Sequence, residues 1–176
     1  MKKLILILTI ALLPFLGNAQ TSILNQFEND NDVTSIVVTK KVFDMMGRIK
    51  VDDAEANQMV ELVKGLKEMK LYTTFNTNKA NEMKSAIDTY LKQSKLSELL
   101  RVNDKDAKVN IYVKEGRNDN HVTELLMFVN ELKGHGGDRD PKAVILSITG
   151  DIELDKISDL INQMNVSGGE HFKNKK

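Results

Sequence analysis

The side chains best suited to chemistry lie together in one connector, His135-Gly-Gly-Asp138-Arg139-Asp140, where an imidazole, two carboxylates and a guanidinium flank flexible glycines. Such groups could hold a metal ion or an anion. The same composition also describes an ordinary solvated connector, so His135, Asp138, Arg139 and Asp140 are site candidates and not an assigned site. Elsewhere no spacing selects a catalytic, cofactor-binding or metal-binding residue. His121 and His171 lack an HExxH or i, i+4 partner. There is no G-x-S-x-G, and no Cys to serve as a thiolate. Ser167-Gly168-Gly169 follows a predicted helix, whereas a phosphate-binding loop follows a strand. The acidic stretch Glu28-Asn-Asp-Asn-Asp32 suggests calcium but lacks the Gly and the later bidentate Glu of an EF-hand loop, so it reads as a loop. A paired-carboxylate hydrolase needs two of the 25 acids to meet in space, and nothing in the sequence chooses the pair.

The connector leads into the stretch from Lys142 to Met164, which is the element expected to organise the fold. Val144, Leu146 and Ile148 fall on one side of a strand, and Ala143 and Ile145 make the other side apolar too. A strand apolar on both sides belongs in the middle of a covered sheet. Gly150 is then expected to turn the chain. Asp151, Glu153 and Asp155 would follow at a helix N-terminus, where carboxylates suit the free N–H groups and the dipole. Leu154, Ile157, Leu160, Ile161 and Met164 recur at helical spacing, so that helix can fold back on the sheet.

The preceding chain alternates. Ile23, Leu24 and Phe27 suit a short amphipathic helix, and Val33 to Thr39 is β-branched and reads as the first strand. Val42, Met45, Met46 and Ile49 predict a short helix from about Lys41, its methionines expected in the core rather than in an adaptable groove. Asp52 and Glu55 have capping-box spacing before a helix striped by Ala56, Met59, Val60, Val63 and Leu66. Met69 to Phe75 reads as the second strand. Asn76 to Asn78 offers cap chemistry to the longest helix, with Ala80, Met83, Ile87, Tyr90 and Leu91 on one face. From Glu98 the period becomes two. Leu100 and Val102, then Val109, Ile111 and Val113, make a hairpin around Asn103–Asp106, and Val122 to Leu132 is read as a further strand although its spacing also satisfies a helix. The expected class is α+β, a mostly antiparallel (mixed) sheet with helices packed on one face, strand-helix alternation in the first half and a C-terminal helix.

Lys2 and Lys3 precede a run of thirteen apolar-rich residues from Leu4 to Leu16, and Gly17-Asn18-Ala19 has small residues at the cleavage spacing. This is the build of a secretory signal peptide, too short for the roughly 20 residues of a membrane span. Cleavage is expected after Ala19. The expected division is a signal peptide at 1–19, an N-terminal segment at 20–32, one domain at 33–166 and a tail at 167–176. A domain of this size buries on the order of 70% of its unfolded surface, enough to stand without disulfides. Zero Cys also excludes a lipid anchor through a cleavage-site Cys. The chain carries 25 basic and 25 acidic residues, and its one basic cluster, Lys173, Lys175 and Lys176, reads as a solvated terminus, a balance that argues against nucleic-acid binding.

Several stretches carry a resemblance in common: Val33-Thr-Ser-Ile-Val-Val-Thr-Lys-Lys41 running into Phe43-Asp-Met-Met46, Leu100-Arg-Val-Asn-Asp104, Tyr112-Val-Lys-Glu115, Leu146-Ser-Ile-Thr-Gly-Asp-Ile-Glu-Leu154 and Gly169-Glu-His-Phe172. Together, and in this order, they resemble the exported bacterial family catalogued as domain of unknown function 4252. The resemblance implies an envelope-side domain of Gram-negative bacteria with a loose tie to envelope stress signalling. It carries no cofactor and no catalytic residue to transfer. The leading functional expectation is a non-catalytic binding module at the envelope, with a protein or a small ligand as partner. A hydrolase using carboxylates or the His135 connector is the second reading, and a structural domain that dimerises through a sheet edge is the third.

Overall fold

The structure, a computed structural model, describes residues 23–48, 54–105, 107–130 and 140–156. Its strands are β1 (Val33–Thr39), β2 (Leu66–Thr74), β3 (Ser97–Asn103), β4 (Lys108–Glu115), β5 (His121–Asn130) and β6 (Ala143–Glu153). They form one six-stranded sheet in the order β1-β2-β6-β5-β4-β3, antiparallel at every pairing. Among the described residues the longer helices are α1 (Lys40–Met46), α2 (Ala54–Lys64) and α3 (Thr77–Gln93), and residues 23–25 and 154–156 are helical too, where a short N-terminal helix and the start of a closing helix were expected. The class is α+β, as expected, and β5 settles the ambiguous segment as a strand. β6 lies between β2 and β5, the interior place that its two apolar sides require.

Register rows separate the two sides of the sheet. Tyr72, Ile145 and Phe128 share one row, and their neighbours Leu71, Leu146 and Met127 share the next, pointing the opposite way. On the first side, Tyr72, Leu126, Phe128, Ala143 and Ile145 are buried beneath α3 through Met83, Ala86, Ile87 and Tyr90, with Leu24 and Phe27 closing the N-terminal end. Phe27 meets Tyr72 edge-on at 6.0 Å between ring centroids. The α3 N-cap forms as expected, the Asn76 side chain accepting from the N–H groups of Asn78 and Lys79. On the second side, Phe43 of α1 and Val63 of α2 pack with Leu66, Val113, Val122, Leu125 and Ile152.

Four sequence expectations are therefore corrected. The helices divide between the two sides instead of sharing one, because strands apolar on both sides need cover on both. Gly150 does not end β6. With φ +152 it passes so close to Gly65 that a Cβ would lie 2.4 Å from the Gly65 carbonyl oxygen, and the strand continues to Glu153 through an irregular register. Asp151 is consequently a strand residue, while Glu153 ends the strand directly before the helical residues that begin at Leu154. Leu66 opens β2 instead of closing α2. Finally, Met45 and Met46 are exposed, with Met45 at 63%. In a helix of seven residues, burial of Phe43 fixes the orientation and turns Val42, Met45 and Met46 outward. Ile157 to Met164 and Asp52 of the expected capping box lie outside the described residues.

Candidate functional site

Of the sequence candidates, His135, Asp138 and Arg139 lie outside the described residues. Asp140 is half-buried at the entry to β6, two residues before Lys142, whose N–H donates to the Thr74 carbonyl at 2.8 Å. Beside that end of β2 lies a shallow depression lined by Asn31, Asp32, Val33, Thr34, Phe75 and Asn76.

A second imidazole site, unforeseen in the sequence, forms where the β4–β5 turn meets the end of β6. His121 is buried and stands in register with Glu153. Its Nδ1 is 2.8 Å from Asn118 Oδ1, and the Arg117 guanidinium donates to Nε2. Arg only donates, so Nε2 accepts and Nδ1 carries the proton that Asn118 takes. Asp151 and Glu153 each place a carboxylate oxygen 3.9 Å from Nε2, and Arg117 reaches Asp151 at 3.5 Å. The turn is also tied to the residue that follows β6, the Leu154 N–H donating to Asn120 O at 2.9 Å. Both ring nitrogens thus contact protein groups, and these contacts tie the β4–β5 turn to the end of β6. Among the described residues no group of three or more His, Asp or Glu is placed to hold a metal ion. His121 and its partners Asp151 and Glu153 are about thirty residues apart in sequence, so only strand pairing brings them together.

Polar groups under α3 are partnered in the same way. Lys70 is buried with its ammonium 2.6 Å from Asn25 Oδ1, 3.0 Å from Glu28 and 3.3 Å from Glu68. The Tyr72 hydroxyl donates to Glu28 at 3.3 Å, and the Tyr90 hydroxyl donates to the buried Glu124 carboxylate. Burial, reinforced by these carboxylates, pushes both phenols well above their ordinary range. Nearer the surface, the hydrogen bond from Lys79 holds Asp30 below the usual carboxylate range. These networks hold the N-terminal turn and α3 to the sheet, Lys70 and Lys79 through carboxylates and Glu124 through the Tyr90 hydroxyl.

The corner made by β1 and α1 is exposed and apolar instead. Ile36, Val37, Val42, Met45 and Met46 are all exposed there. Single exposed apolar residues are ordinary, but five within eleven consecutive residues mark an edge suited to a partner, with Ile36 on the α1 side of the sheet and Val37 on the other. β1 is an edge strand with the sequence VTSIVVT, uncharged and in unbroken register with β2. The opposite edge, β3, carries the Glu98–Arg101 ion pair and a register shift between Glu98 and Leu100. Charges and bulges are how edge strands avoid pairing with other chains, and β1 has neither. The signal was present in the sequence as the charge-free run from Val33 to Thr39, but periodicity alone placed the methionines beside it in the core.

No curated protein and no solved structure matches the chain. A family model does, over residues 27–160, a span that holds all six strands, the α1 corner and the His121 brace. The chain belongs to the family described as domain of unknown function DUF4252.

Proposed function

We propose that the protein is a non-catalytic interaction module of the bacterial envelope, exported with cleavage after Ala19 and acting by docking protein through its β1–α1 corner. The observation that carries the reading is the exposure of Ile36, Val37, Val42, Met45 and Met46 on an edge strand without charge or bulge and the helix that follows it. Methionine suits such a surface because its unbranched, polarisable side chain adapts to a partner. Lys70 and Glu124 support the same reading, since both are buried and engaged in structural contacts, Lys70 with Asn25, Glu28 and Glu68 and Glu124 with the Tyr90 hydroxyl. The leader-like N-terminus supports export, and the family resemblance supports a place in envelope stress signalling.

The test is complementation of a deletion of the gene by variants that keep the fold. Val42→Lys combined with Met45→Lys is expected to abolish complementation while leaving thermal stability almost unchanged, and His121→Asn is expected to complement. The opposite pattern, a folded His121→Asn protein that fails and a corner variant that succeeds, would overturn the reading in favour of a reactive imidazole.

A further inference from the structure

Resting on that reading, we propose that the corner's partner is a second copy of the chain, with β1 pairing antiparallel to β1 across a twofold axis at Ile36. Ile36 is the central residue of Val33–Thr39, so only a pairing centred there uses the whole strand. The faces agree as well. Thr34, Ile36 and Val38 point to one side of the sheet in both copies, and a shift by one residue would set each against the opposite side.

In this register Ile36 lies opposite Ile36 of the second copy, Thr34 opposite Val38, and Ser35 opposite Val37. β-branched residues facing one another are the favourable kind of cross-strand pair, and no like charges meet. Just beyond the strand, Asp32 comes opposite Lys40 of the second copy, and the twofold repeats that contact at the other end. Asp32 precedes β1 and Lys40 begins α1, and both are exposed. Within one copy, the Asp32 carboxylate accepts from Asn76 at 3.4 Å, and Lys40 reaches Asp44 at 2.6 Å. A segment of another protein could also add to this edge, but it would not explain why the charges flanking β1 are complementary to their own copy after a twofold rotation.

The absence of Cys from the chain makes the register directly testable. Ile36→Cys introduces one thiol on β1, and Leu99→Cys introduces one on the opposite edge at a site equally exposed, both residues being 47% accessible. Within the proposed dimer the two thiols introduced by Ile36→Cys face each other at millimolar effective concentration, so mild oxidation of micromolar protein is expected to give a covalent dimer at least about tenfold faster for this variant than for Leu99→Cys. Sedimentation supplies the second arm. Asp32→Lys alone is expected to weaken self-association by roughly tenfold, and Asp32→Lys with Lys40→Asp to restore it. Equal oxidation rates for the two variants, or a charge reversal that is not rescued by the double variant, overturn the assignment. A protein that is monomeric alone and gains protection at β1 only with a different protein added also overturns it, while leaving the interaction reading to the complementation test.

Discussion

Ile145 and Leu146 are consecutive residues of β6, yet they face regions organised on different terms. Ile145 is fully buried beneath α3, in a row with Tyr72 and Phe128. Leu146 is half-buried, in a row with Leu71 and Met127, on the side where Phe43 of α1 and Val63 of α2 pack. On the first side the polar groups are matched as thoroughly as the apolar ones are packed, with Lys70, Tyr72, Tyr90 and Glu124 all hydrogen-bonded. Among the described residues, Ser94 Oγ is the buried side-chain polar atom left without a partner. The second side passes from Val38 and Phe43 directly into the exposed residues of the β1–α1 corner. The closed side supplies stability, and the more open side ends in the surface assigned to a partner.

Substitutions in β6 should separate the two sides most strongly. Ile145→Ala leaves a cavity in the closed layer and is expected to cost about 2–5 kcal/mol in denaturant unfolding, whereas Leu146→Ala should cost about half as much or less. Comparable losses would mean that the second side is as tightly packed as the first. Next in size, Tyr90→Phe removes the hydroxyl that satisfies buried Glu124, and an expected loss of about 1–3 kcal/mol should be largely recovered by adding Glu124→Leu. If the double variant is no better than the single one, the pair is not the source of the cost.

Alkaline pH probes the same layer. Tyr72 and Tyr90 keep their protons in the folded state to pH values above the ordinary 10.0. Their contribution is therefore complete below about pH 10 and declines as the pH rises beyond it, by up to about 1.4 kcal/mol per unit for each phenol. Tyrosinate absorbance should accordingly appear together with unfolding, and Tyr72→Phe with Tyr90→Phe should flatten the decline. The smallest expected effect belongs to the corner: Met45→Lys should change stability by less than about 0.5 kcal/mol, because its side chain is already in solvent. A larger loss would return Met45 to the core.

The same contrast explains what could be read from the sequence. Strands whose two sides differ in polarity, such as β4, and the apolar run of β6 announce themselves through period and composition, and so does α3 with its Asn76 cap. The tilt of α1 does not, because a two-turn helix has several apolar residues and only the pocket formed by Val63 and Leu66 decides that Phe43 enters it. Gly150 was equally deceptive. Glycine permits a turn or a close strand approach, and the neighbouring Gly65 carbonyl, far away in sequence, selects the second. The His121 brace depends on the pairing of β5 with β6 and so had no local signature. The edge character of β1 was legible only once its place at the end of the strand order was known.

Amide hydrogen exchange across a range of protein concentrations tests the use of that edge most directly. The account expects exchange in residues 33–39 to slow as concentration rises from micromolar toward millimolar, while residues 97–103 at the opposite edge stay unchanged. Exchange at 33–39 that is independent of concentration, or protection that grows at 97–103 instead, would contradict it.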